Sequence, residues 1–357
     1  MPKRLIRGAW AALVLAGATF AASLLAGGPA EAGKPDIKGL SDHAIAVEAR
    51  PVAFDPSRPD RRRFGKLEWL GGVELTSASP YFGGLSGLII DADGQGLLAV
   101  SDAGLWLSGD IVAGQNGPAG LTNVRTGPLL GKHGKPLTRN KERDAEAITR
   151  AGLNGQVYIG FEQRHRIELT PLGKAGPGSP RHQVGLPRSA LRARGNSGIE
   201  GVALLTHGPH AGSLIFFTEN LLDNAGNHRG WLAGRSKPMS VTLKRLKGFD
   251  ITDLALLPDG DLLVLERRFR FLEGVKMRIR RIESAAIRPG ALLDGEVLLE
   301  AGNGYAIDNM EGIAVHRGAA GETVITLSSD DNFNRGLQRT LLLQFALPRR
   351  RLGRASQ

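Results

Sequence analysis

The chain of 357 residues contains no cysteine. That absence excludes disulfide frameworks, zinc–thiolate sites, iron–sulfur clusters and cysteine nucleophiles. Aromatic residues make up only 5%, and no nucleic-acid-binding motif accompanies the excess of basic residues, so charge alone does not argue for DNA or RNA. Beyond residue 30 there is no long apolar run and little helical periodicity, so the body of the chain is expected neither to span a membrane nor to be helical. His-Glu-x-x-His and the phosphate-cradling Gly-x-x-x-x-Gly-Lys-Ser/Thr are missing. A Gly-x-Ser-x-Gly nucleophile elbow is only grazed, by Gly84-Leu85-Ser86-Gly87 and Asn196-Ser197-Gly198. Asp91-Ala92-Asp93-Gly94 with Asp102 at the twelfth place partly imitates an EF-hand loop, but it lies between two apolar strands and reads as a hairpin turn. The histidines show no ligand spacing. Only His165 and His228, just after acidic strand ends, stand as acid–base candidates among them.

What is present begins with export. Lys3, Arg4 and Arg7 precede an uncharged Ala/Leu-rich stretch, and Ala30-Glu31-Ala32 supplies the small-x-small pattern of a signal-peptidase site. Residues 1–32 therefore read as a signal peptide, with an uncleaved anchor as the alternative. A soluble protein starting at Gly33 is expected in a bacterial periplasm or secreted, with no stable membrane span once the signal is removed. Removal takes away three Lys/Arg and one Asp/Glu, so the net charge falls from +11 to +9. Residues 33–63 read as a polar, Pro/Arg-rich arm, loosely attached, and 348–357 as a basic tail.

Between them, residues 64–347 repeat. An acidic or polar residue opens an apolar strand at Ser86, Glu146, Glu200, Asp253 and Glu311, spaced by 60, 54, 53 and 58 residues. A turn follows, and then a second apolar strand that ends on Asp102, Glu162, Glu219, Glu266 or Asp330. A period in the fifties with strand–turn–strand content fits one four-stranded blade per repeat. The expected fold is all-β, a β-propeller with five visible repeats and five or six blades. The last repeat lacks a fourth strand, and residues 67–76 lack a blade, so their pairing would close the ring and leave no open edge.

In such a blade the start of the first strand and the end of the second lie side by side on one face. Both acidic sets should thus ring one mouth of the central channel. An acid at a strand start also commonly accepts backbone amides of the next blade. As a set, however, so many carboxylates repel one another unless cations neutralise them, and calcium with oxygen ligands is the expected answer. Asp102, Glu162, Glu219 and Asp330 are the candidate metal ligands. Glu146, Glu200 and Glu311 are the candidate general bases, and Arg143, Arg164, Arg268 and Arg335 the candidate grips for a small anionic or ester substrate.

The Glu-Gly-Ile/Val-Ala starts at Glu200 and Glu311, their variant at Glu146, Phe-Thr-Glu-Asn at 217–220 and Ser-Ser-Asp-Asp-Asn at 328–332 resemble those of the phytase-like family. That family is described as having esterase-like activity of phytase, and the resemblance covers roughly residues 64–347. It implies an exported bacterial propeller that hydrolyses phosphate or other small esters. The β-propeller phytases, which hold calcium in an acidic cleft, are similar in outline only, since their calcium residues do not map one by one onto this chain. Two functions follow as expectations: a metal-assisted hydrolase, or a non-catalytic propeller that uses the same mouth to bind a ligand or envelope partner. Substrate and oligomeric state have no signature in the sequence.

Overall fold

The computed structural model describes residues 33–152, 155–192, 198–234 and 237–348. The expected signal peptide and most of the basic tail lie outside the described residues.

Runs of Val, Ile, Leu and Phe between Gly/Asp turns form short strands that build five sheets. Blade 1 comprises Leu85–Ile90, Gly96–Ser101, Leu105–Ala113 and Pro118–Pro128. Blade 2 has Ala145–Arg150, Gln156–Phe161 and Arg166–Gly173, edged by the short pairs Gly176–Pro177 and His182–Gln183. Blade 3 has Ile199–Leu204, Leu214–Leu222, His228–Ala233 and Met239–Leu243. Blade 4 has Asp250–Leu256, Leu262–Arg270, Gly274–Ile282 and Glu296–Ala301. Asn309–Arg317, Thr323–Asp330 and Thr340–Leu347 begin blade 5.

The fourth strand of blade 5 is Leu67–Thr76, which runs antiparallel to Thr340–Leu347 from Leu75↔Thr340 to Glu68↔Ala346. The first strand of each blade touches the first strand of the next, and that of blade 5 touches that of blade 1. The protein is therefore a closed five-bladed β-propeller. The longer intervals hold no sixth blade; they are taken up by the eleven-residue strand Pro118–Pro128 and by Leu292–Leu293, which adds a parallel edge to blade 3. Among the described residues, no helix is long and apolar enough to cross a membrane.

The core lies between blades. Apolar side chains of one sheet meet those of the next, as where Ile215 and Phe217 of blade 3 pack with Leu254 and Val264 of blade 4. Residues 33–63 depart from the loose arm expected. His43–Ala44 pairs with blade 1 and Glu48–Pro51 with the closing strand. Ile37 and Phe54 are fully buried. Phe54 sits 5.0 Å from Phe345 and 5.4 Å from Trp69, centroid to centroid, so it plugs the seam where the two ends of the chain meet. Polar composition concealed this attachment, which rests on a few isolated apolar side chains.

One irregularity recurs in every blade. The pairing of first and second strands slips by one residue near the start, at Ser86, Glu146, Glu200, Thr252 and Glu311. Each is a β-bulge, which sets two residues against one and re-aims the side chain. In blades 2, 3 and 5 the re-aimed residue is glutamate.

Candidate functional site: an acidic channel mouth

The bulges place Glu146, Glu200 and Glu311 at the mouth-facing start of three first strands. The second strands return to the same rim. In blades 1, 2 and 3 the terminal acid donates its backbone N–H to the carbonyl two residues before the bulge: Asp102 to Gly84 at 3.1 Å, Glu162 to Asp144 at 2.8 Å and Glu219 to Gly198 at 3.0 Å. Strand register carries the same position to Asp330 opposite Asn309 in blade 5, and to Arg267 opposite Asp250 in blade 4.

Blade 4 is thus offset from the sequence reading by one residue. Asp253 stands where other blades have Gly or Ala tight against the next first strand. Its carboxylate accepts the Ile313 amide of blade 5 at 2.9 Å and the Leu254 amide at 2.7 Å, which makes it an inter-blade clamp. Burial pushes its pKa well up, against the opposing pull of those two donors. Glu266 turns into blade 4, where Arg280 grips it with two bonds of 2.7 and 2.6 Å, both side chains fully buried. Neither belongs to the mouth. Arg267 does: its guanidinium lies 2.8 Å from Glu311 and 3.5 Å from Glu219.

A second cation comes from the arm. Lys34 Nζ sits 3.2 Å from Asp102 and 3.1 Å from Asp144, its side chain 12% exposed. Burial alone would lower its pKa, but Asp102, Asp144 and Glu146 overcome this and raise it. Among the described residues, Lys34 and Arg267 are the side chains that form ion pairs with the mouth carboxylates. Against them stand Asp102, Asp144, Glu146, Glu162, Glu200, Glu219, Glu311 and Asp330. Charge is correspondingly uncompensated. Burial, followed by its acidic neighbours, raises the pKa of Glu162 to about 8. Burial likewise raises Glu219 to about 7, held back by Arg267. It pushes Glu146, Glu200 and Asp330 well above the carboxylate range, with neighbouring acids adding to each. Asp102 and Glu311 are raised by burial and eased by Lys34 and Arg267 respectively.

The tightest grouping is Asp144, Glu146 and Glu162, each of which offers an oxygen within 4.8 Å of the others'. Two donors fix its outer members. The Gly198 amide gives 2.7 Å to Glu162 Oε1, and Gln163 gives 2.8 Å to Asp144. A Cβ at position 198 would collide with the Glu162 side chain, so only glycine lets this amide approach. Glu146 is left as the more open ligand. Three carboxylates at this spacing suit a hard divalent cation.

Of the expected metal ligands, Asp102, Glu162, Glu219 and Asp330 all come to the mouth, but only Glu162 belongs to the tight grouping. Asp144, which is not among the expected ligands, completes it. The expected substrate arginines do not line the mouth. Arg143 is buried against Gly104 and donates to the Pro35 carbonyl at 3.1 Å. Arg164 pairs on the rim with Glu142 at 2.9 Å. Arg268 binds the Lys247 carbonyl and Glu273. Arg335 is spent on the carbonyls of Ser77, Ser79 and Phe82. His228 is fully buried and bridges two backbone carbonyls, so it is structural. His165 is buried beside Glu162 and Gly198. At the opposite end of the channel a cavity of about 320 Å³ is lined by apolar strand ends such as Ile90, Leu204 and Val315.

With this geometry in place the kinship can be stated. A family profile matches residues 80–333, which run from the loop before blade 1 to the second-strand end of blade 5. The chain belongs to the phytase-like family, described as esterase-like activity of phytase. A search of curated proteins found no significant match. Among solved structures the chain is similar to the PQQ-bound aldose sugar dehydrogenase of Streptomyces coelicolor, at 13% identity and TM-score 0.40, over 85% of this chain and 99% of that one. It is also similar to the β-propeller domain of Cps50 (Swd1) from Myceliophteria thermophila, at 10% identity and TM-score 0.38, over 86% and 97%. A third is the hydrazine synthase of Kuenenia stuttgartiensis, at 12% identity and TM-score 0.35, where 69% of this chain spans 56% of that one.

Proposed function

We propose that the acidic mouth hydrolyses phosphate esters or other small esters with the help of a divalent cation, calcium being the expected one. The observation that carries this reading is the Asp144–Glu146–Glu162 grouping, set in a buried well with far more carboxylates than cations. Family membership supports the hydrolytic class. A cation held there would polarise the ester or phosphoryl oxygen of the substrate. Glu200, which hydrogen-bonds Glu162 and whose pKa is raised by burial and acidic neighbours, would serve as general base toward the attacking water once it is ionised. Arg267, between Glu219 and Glu311, offers its fork to an anionic oxygen at the far side of the mouth.

Thermal unfolding with calcium and with chelator, alongside turnover of p-nitrophenyl acetate and p-nitrophenyl phosphate, tests the reading. A ligand bound only to the folded state adds about 2.7 kcal/mol at a hundredfold excess over Kd. Calcium should therefore raise Tm and chelation lower it. Asp144→Asn and Glu146→Gln should lose both that response and turnover, while the exposed Glu68→Gln keeps both. A calcium response without turnover of either ester class would make the mouth a binding site. Indifference to calcium and chelator would remove the cation.

A further inference from the structure

The three most exposed large apolar side chains among the described residues are Leu272 at 92%, Phe271 at 65% and Leu337 at 61%. All three lie in turns between the second and third strands of their blades, and those turns are on the mouth face. Phe271 and Leu272 form the tip of the blade 4 hairpin. Pairing runs on past the rim residue Arg267 through Arg268↔Lys276, Phe269↔Val275 and Arg270↔Gly274. Three further pairs lift the tip about 10 Å above the rim.

The base of this projection is cationic. Glu273 alone answers Arg268 at 2.5 Å, Arg270 at 3.1 Å and Lys276 at 2.7 Å. Lys247, exposed in the neighbouring loop, hands its carbonyl to Arg268 and adds a further charge. A pair of bare apolar side chains above a net-positive collar is the arrangement that settles at the boundary of an anionic bilayer. The whole chain is basic as well, at +11. The acidic well opposes such an approach only weakly, because the hairpin holds its tip about 10 Å above the rim and the field of the well is screened over about 8 Å in physiological salt.

We propose that the mouth face docks on an anionic lipid surface, with Phe271 and Leu272 entering the headgroup boundary and Arg270 and Lys247 meeting the headgroups. This goes beyond the hydrolytic reading and stands without it, since binding needs no turnover. The test is co-sedimentation of protein beginning at Gly33, which contains every strand of the ring, with phosphatidylglycerol or phosphatidylcholine vesicles. Binding should favour phosphatidylglycerol at least tenfold and weaken with salt. Phe271→Ser/Leu272→Ser should reduce it at least tenfold with Tm unchanged, and Arg270→Ser/Lys247→Ser should also weaken it. As a second readout, Leu272→Trp should show a blue shift of its fluorescence on addition of phosphatidylglycerol vesicles. Absence of vesicle binding, equal binding to both lipids, or full binding by the Phe271→Ser/Leu272→Ser protein would overturn the proposal. A dimer that this same variant dissociates, in protein that ignores vesicles, would assign the tip to a second copy of the chain.

Discussion

Arg267 occupies the position at which four other blades carry an acid, and it is the reason that Glu219 and Glu311 can face each other at all. Its neighbour Glu266 points the opposite way, because side chains alternate along a strand, and finds Arg280 there. The two residues illustrate different electrostatic costs. Losing Arg280 leaves the fully buried Glu266 carboxylate with only the longer 3.8 Å contact to Arg278, so Arg280→Met should cost about 3–5 kcal/mol. Glu266→Met/Arg280→Met removes both charges and should recover most of that loss, as read by denaturant unfolding. A double variant no better than the single one would deny that the stranded charge is the cause. A sequence repeat aligned on its acids places Glu266 and Asp253 in the mouth. Aligned on the flanking apolar residues, Ile251 and Leu254 against Ile199 and Val202, the same repeat yields Thr252 and Arg267 instead. A one-residue slip reverses the face of a strand residue, and the type of residue does not reveal which face it takes. Glu146, Glu200 and Glu311 were legible because bulge and acid coincide in their blades.

At the scale of the element, closure was visible in advance as an arithmetic of strands: one blade lacked a strand and one strand lacked a blade. The attachment of residues 33–63 was not visible, since Ile37 and Phe54 are too sparse to form a period. They are nevertheless buried, and Phe54 contacts Phe64, Trp69, Tyr305 and Phe345. Phe54→Ala should therefore destabilise by about 3–5 kcal/mol, the usual cost of a large aromatic removed from a core. Deletion of residues 67–76 should abolish cooperative unfolding altogether, since it reopens the edge of Thr340–Leu347. Calorimetry of the two proteins distinguishes a weakened ring from an opened one. If Phe54→Ala unfolds like the parent, the seam does not depend on its plug.

The whole molecule carries an excess of buried acid at one end of its axis, and this makes its stability depend on pH. Glu162 and Glu219 titrate near 8 and 7 in the folded chain, well above an ordinary glutamate. Folding therefore binds protons in the window between about 4.5, the unfolded value, and 8. Stability from these groups is complete below that window and is lost as pH rises through it. Chelated protein should melt higher at pH 5.5 than at pH 8, and calcium should narrow the difference by favouring the ionised carboxylates. Equal melting temperatures at the two pH values without calcium would mean that the charges are already balanced.

The join between Leu67–Thr76 and Thr340–Leu347 also fixes a timetable. Leu75 pairs with Thr340 across 265 positions of sequence, the difference of the two numbers. At ribosomal speeds of 5–20 residues per second the earlier strand waits on the order of 10–50 s for its partner to be made. Throughout that interval blades 1 to 4 can assemble, but the ring cannot lock, and the apolar side chains of Leu67 and Trp69 on one face of the strand and of Val73 and Leu75 on the other have no permanent cover. The two strands that seal the molecule are thus made far apart in time, and the growing chain must remain shielded from its neighbours until Thr340–Leu347 has been synthesised.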